Sequence, residues 1–221
     1  MKNKLFLNTI NPLLLNVLKT LMAAREFDVF RLIGGTALTL YRGHRESVDI
    51  DLFSDASSDS IDFTAIDTFL HKTYSYVDTH EYKVVGMGKS YYIGKNYDDC
   101  VKLDLFYTDR FIQKIIFKNG VRLATEEEIA AMKIDAISRG GRKKDFWDIH
   151  ELKDDYSLEK MLALHKQRYP YTHNHMQILN SFSDFSIADD DFDPICLKGK
   201  YWEIIKLDII DFASQEGANQ T

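Results

Sequence analysis

Asp49 and Asp51 stand two residues apart in Ser47-Val48-Asp49-Ile50-Asp51-Leu52-Phe53. In an extended chain alternate residues share a face. Val48, Ile50 and Leu52 then point into a core, and the two carboxylates point away from it, side by side. Adjacent carboxylates repel unless a cation lies between them. Ligands made only of oxygen favour Mg²⁺ or Mn²⁺. Just upstream, Leu32-Ile33-Gly34-Gly35-Thr36 joins a short apolar run to a segment with helical character. Glycines at such a junction let backbone N–H groups approach a ligand closely. Thr36 is expected as the N-cap, and the start of a helix favours phosphate. Gly34, Gly35 and Thr36 are therefore phosphate-binding candidates. A phosphate cradle beside a divalent-cation site suits a nucleoside triphosphate.

The elements that must position these residues can be traced from the pattern. Residues 30–33 read as a strand, residues 37–41 as a short helix ended by Gly43, and residues 47–53 as the next strand. Residues 12–25 and 61–74 show helical spacing of apolar side chains. Residues 82–86 and 90–93 read as a hairpin. In residues 100–108, Val101, Leu103 and Leu105 alternate with Lys102, Asp104 and Phe106, repeating the register of the Asp49 strand. Asn119-Gly120 marks a turn in residues 112–121. Thr125-Glu126-Glu127-Glu128 reads as a capping box opening a helix to about Arg139. Lys133 lies on the apolar stripe of that helix, where an unpartnered ammonium is costly. Helices are further expected from Arg142, over 158–169, over 176–182 and over 201–212, with a frayed tail after Ala213.

The run Gly34-Gly35-Thr36, a helix, then His44-Arg45 and Asp49-Ile50-Asp51-Leu52-Phe53 resembles the first motif of polymerase-β-type nucleotidyltransferases. It resembles the form carried by the AbiEii/AbiGii toxin family. Lys133, Ala136, Arg139, Asp145 and Asp148 match, in order, that family's downstream pattern of a lysine helix followed by an acidic helix. The resemblance implies that Asp104 is a third metal carboxylate, so that Asp49, Asp51 and Asp104 together hold two Mg²⁺ or Mn²⁺ ions and serve catalysis. It implies that Lys133 contacts nucleotide phosphate and that Asp145 orients it. Arg45 has two readings, a pair with an acidic neighbour or a phosphate contact.

With 45% apolar and 13% aromatic residues, the 221-residue chain can bury a sizeable core. A formal charge of −6 excludes a general polycation, so any nucleic-acid contact must be local. Cys100 and Cys196 suggest neither a disulfide framework nor a zinc site. The segment His173-Asn174-His175, with His165 nearby, reads as exposed polar chain. No apolar run of about 18 residues is present, which predicts no membrane contact, and the two scattered cysteines make a reducing, cytoplasmic setting the expectation. The expected class is α+β: a mixed-sheet nucleotidyltransferase core with the N-terminal helix over residues 1–123, and a helical domain over 124–221 closing the cleft. The expected activity is transfer of a nucleoside monophosphate from a triphosphate to an acceptor hydroxyl. The resemblance makes the acceptor RNA, at a tRNA end, and the setting a type IV toxin–antitoxin or phage-defence pair with a cognate antitoxin. The rivals are transfer to an aminoglycoside-like small molecule or to a protein, and nucleotide binding without turnover.

Overall fold

The computed structural model describes residues 4–57, 59–79 and 87–218, the side chains of 215–218 excepted. The expected strand at 82–86 lies outside the described residues. The chain divides into two compact units, residues 1–41 with 47–124, and residues 42–46 with 125–221.

Among the described residues the first unit has seven strands: β1 (Arg31–Leu32), β2 (Asp49–Ser54), β3 (Tyr76–Asp78), β4 (Gly88–Asn96), β5 (Asp99–Tyr107), β6 (Ile116–Lys118) and β7 (Val121–Leu123). They form one mixed sheet in the order β3-β4-β5-β2-β1-β7-β6. The β2–β5 and β1–β7 pairs are parallel and the others antiparallel. With the helices below this is the expected α+β class. β6 and β7 form a hairpin because Asn119 and Gly120 accept positive φ angles of 50° and 78°. Helix α1 (Pro12–Ala23) starts where Asn11 accepts the Leu14 N–H. It buries Leu14, Val17, Leu18, Leu21 and Met22 against the sheet core of Ile50, Leu52, Leu103 and Leu105. Helix α3 (Phe63–Thr73) starts at an Asp62 cap and buries Phe63, Ile66 and Leu70. Val48, expected in the core, is 61% exposed, because β2 begins one residue later, at Asp49.

The second unit is helical: α4 (Glu126–Ser138), α5 (Lys143–Leu152), α6 (Leu158–Arg168), α7 (His175–Ser181), α8 (Ser186–Asp189) and α9 (Trp202–Ala218). Helix α4 is central and touches α5, α6 and α7. Thr125 caps it by accepting the Glu128 N–H. The Glu128 side chain, expected to complete a capping box, is fully buried and pairs with Arg168 at 2.7 Å. Phe146, Phe185 and Trp202 pack ring against ring at 5.0–6.0 Å, and Trp147 stacks on Trp202. Helix α9 continues to Ala218, past the expected frayed end. No described helix is long and apolar enough to cross a membrane.

Candidate functional site

Helix α2 (Gly34–Arg42) follows β1 directly. Its first-turn N–H groups have no acceptor inside the helix, by the geometry of any α-helix. Gly34 has φ +66°, and a Cβ placed on it would lie 2.9 Å from Asp51 Oδ2. Only glycine both accepts that backbone and leaves room for the carboxylate. Thr36 is not the N-cap. It is the third helical residue, 1% exposed, and its hydroxyl donates to the Asp49 carbonyl at 2.5 Å. That uses its one proton, so the 2.7 Å contact with Ser47 is donated by Ser47. The Thr36 side chain thus fixes the start of β2 to the glycine turn. Gly34→Ala is expected to cost about 1–2 kcal/mol from the left-handed backbone and to displace Asp51. Chemical denaturation of the pure protein checks the first effect.

Asp49 and Asp51 lie on the face of β2 opposite Ile50 and Leu52. In the parallel register Asp51 is level with Asp104, and Asp49 with Lys102. Paired residues on neighbouring strands share a face and stand about 4.8 Å apart. Asp49, Asp51, Lys102 and Asp104 therefore project from one side of the sheet, with Phe53 against Phe106 beyond them. The side chains are not closed around a common point: among the described residues no three His, Cys, Asp or Glu side chains are grouped to hold a metal ion. Asp104 Oδ2 instead accepts from the Lys102 ammonium at 2.6 Å. Asp104 Oδ1 is buried with no hydrogen-bond partner among the described residues. Partial burial pulls the Lys102 pKa down, but Asp104, with Asp49 and Asp51 behind it, leaves it raised.

A second polar cluster lies wholly within the helical unit. Residues 42–46 join it because the Leu197 N–H donates to the His44 carbonyl and the Glu46 N–H to the Ile195 carbonyl, each at 2.9 Å. This presents His44 and Arg45 inward, 1% and 3% exposed. Both converge on Asp148, which is fully buried on α5. Arg45 grips it with two bonds, at 2.7 and 2.9 Å, the strong planar geometry for a guanidinium and a carboxylate. His44 Nε2 is 2.7 Å from the same carboxylate. From α4, the Lys133 ammonium lies 2.6 Å from both Asp148 and Asp145. Asp145 Oδ2 also accepts the Arg142 N–H at the start of α5. Burial would raise the Asp148 carboxyl, but Arg45, Lys133 and His44 hold it well below the usual carboxylate range. Burial likewise pulls Lys133 down, and Asp145 and Asp148 outweigh it.

Sequence reasoning missed Asp148 as a site residue. It does match the family's acidic helix, but what makes it a hub is the return of residues 42–46 to α4 and α5, which no local pattern shows. Of the two readings of Arg45, the structure displays the acidic partner. Arg139 does not join the cluster; it is exposed and pairs with Asp135 one turn earlier on α4. His165, read as exposed, is 1% exposed, with its Nδ1 2.9 Å from His173 Nδ1.

A family model described as nucleotidyl transferase AbiEii toxin, type IV toxin–antitoxin system, matches residues 16–213. The chain belongs to the AbiEii nucleotidyl transferase toxin family. An uncharacterized protein of Aquifex aeolicus, aq_aa25, is 30% identical over 150 residues, 63% of this chain. That match spans 66%, just under two thirds, of the relative. The fold is similar to that of JHP933 from Helicobacter pylori, with a TM-score of 0.54 at 18% identity over 92% of this chain and 88% of the other. It is also similar to MenT4, a nucleotidyltransferase toxin of Mycobacterium tuberculosis H37Rv, with a TM-score of 0.54 at 14% identity over 89% and 79% of the two chains. The residues that carry the resemblance fall into two sets: the glycine turn with Asp49 and Asp51 belongs to the sheet unit, and His44, Arg45, Lys133, Asp145 and Asp148 form the buried cluster.

In this AbiEii chain His44 offers a pH test. Burial holds its imidazole below the ordinary value, while Asp148 pushes the other way. Its Nδ1 is buried with no partner among the described residues, so a second ring proton finds no acceptor. The unfolded chain, with a pKa of about 6.5, then binds more protons than the folded one. Stability is full above that pH and falls as pH drops below it. His150 and His173 are also lowered and contribute in the same direction. His44→Gln keeps a donor for Asp148 and is expected to flatten the fall between pH 7 and 5, read from melting temperatures.

Proposed function

We propose that this protein transfers a nucleoside monophosphate from a nucleoside triphosphate to a hydroxyl of RNA, at a tRNA end, as the toxin of a type IV pair with a cognate antitoxin. The observation that carries the reading is the shared face of Asp49, Asp51 and Asp104, with the Gly34 turn pressed against the Asp51 carboxylate.

The residues fit a divalent cation. The donors are oxygen only, and one of them, Asp104 Oδ1, is buried without a partner among the described residues. Asp49, Asp51 and Asp104 would hold two Mg²⁺ or Mn²⁺ ions, which when bound neutralise phosphate charge and favour attack by a hydroxyl. The N–H groups of Gly34, Gly35 and Thr36 bind the β and γ phosphates at the positive end of α2. Asp104 takes the proton of the acceptor hydroxyl. Lys133, which the resemblance assigns to nucleotide phosphate, is held by Asp145 and Asp148, and Asp148 also fixes Arg45.

The test is to incubate the protein with each triphosphate labelled at the α phosphorus, Mg²⁺ and total cellular RNA. Label in RNA that is lost on trimming tRNA ends supports the reading. Label in a protein or in small hydroxylated molecules would replace RNA as the acceptor. Binding with no transferred label would leave a nucleotide-binding module.

A further inference from the structure

Lys102 has no part in the reading above, yet it sits among the residues that carry it. It lies on β5 two residues before Asp104, on the same face, level with Asp49 on β2. Its ammonium is 2.6 Å from Asp104 Oδ2. Three carboxylates on one face repel, and Lys102 sets a cation against one of them, Asp104. A divalent ion bound by Asp104, through either oxygen, comes close to that ammonium, and the two positive charges repel. Lysine is suited to yield, because its charge rides on a flexible stem with three rotatable donors. The Lys102 side chain is 36% exposed, so the stem has room to swing.

We propose that Lys102 is a positioning residue. It holds Asp104 ready as an internal counter-ion and makes divalent-cation binding weak until a triphosphate brings the anion that the displaced ammonium can meet. The proposal rests on the reading of Asp49, Asp51 and Asp104 as the cation-binding set.

The test is a Mn²⁺ titration without nucleotide, following the free-ion paramagnetic signal, on the full chain. Lys102→Met and Lys102→Gln are expected to bind Mn²⁺ roughly tenfold more tightly than wild type, a step of about 1.4 kcal/mol. Lys102→Arg is expected to restore wild-type affinity. Lys19→Met, exposed on α1, changes net charge equally and is expected to leave affinity unchanged. Melting temperatures identify the folded variants, and Lys102→Gln, which retains a donor for Asp104, stands in if the methionine variant unfolds. Equal or weaker Mn²⁺ binding by a folded Lys102 variant would overturn the proposal while leaving the metal reading intact, provided Asp51→Asn loses the ion. Binding by Asp51→Asn equal to wild type would overturn the metal reading, and the proposal with it.

Discussion

Asp148→Asn is expected to destabilise the helical unit by about 3–5 kcal/mol, because it leaves buried charges without their partner. The melting temperature is expected to fall by about 10 °C or more. Arg45 and Lys133 together balance Asp148 and Asp145, and the amide removes one negative charge from the interior. Asparagine keeps the shape, so a packing defect cannot account for the loss. Both tryptophans of the chain, Trp147 and Trp202, lie in this unit, and their fluorescence therefore reports its unfolding. Adding Arg45→Met to Asp148→Asn restores charge balance and is expected to recover part of the loss. The sign with pH follows from the depressed Asp148 carboxyl. Its contribution is full above the unfolded value of about 3.9 and is lost as pH falls towards the lower folded value. A variant as stable as wild type at neutral pH would show that the cluster contributes nothing net.

Asp51→Asn is expected to lower nucleotide transfer about a thousandfold, or roughly 4 kcal/mol of barrier, with the melting temperature within a few degrees of wild type. The amide matches the carboxylate in size, so it fits the gap beside Gly34. It removes one of three like charges on the same sheet face, which relieves repulsion. Loss of activity with an intact fold separates a chemical role from a structural one. Turnover at the wild-type rate would remove Asp51 from the site.

Much of the sheet half was legible, because its signals are local. Strict alternation in β2 and β5 places carboxylates opposite Ile50, Leu52, Leu103 and Leu105, and the parallel register then makes Asp51 and Asp104 neighbours. The details missed there were also local. Val48 lies just before the strand, and the Thr36 hydroxyl is taken by the Asp49 carbonyl. The helical half was less legible, because its polar core is assembled from three separated segments. Lys133 gave a signal, as a charge on an apolar stripe, but its two carboxylate partners depend on how α5 packs on α4. His44 had no readable role, and Arg45 kept two readings, until the pairing of residues 42–46 with 195–197 turned both inward. Lys102 stands out in the sequence only as one of the residues alternating with Val101, Leu103 and Leu105, and its contact with Asp104 shows only in three dimensions.

The central claim is nucleotidyl transfer carried out on the face that bears Asp49, Asp51 and Asp104. The most direct measurement follows triphosphates labelled at either the α or the γ phosphorus, with wild type and Asp51→Asn, in Mg²⁺ and cellular RNA. The account predicts that α label enters the acceptor, that γ label leaves as pyrophosphate, and that Asp51→Asn does neither. Label from the γ position in the acceptor, or equal transfer by Asp51→Asn, would contradict it.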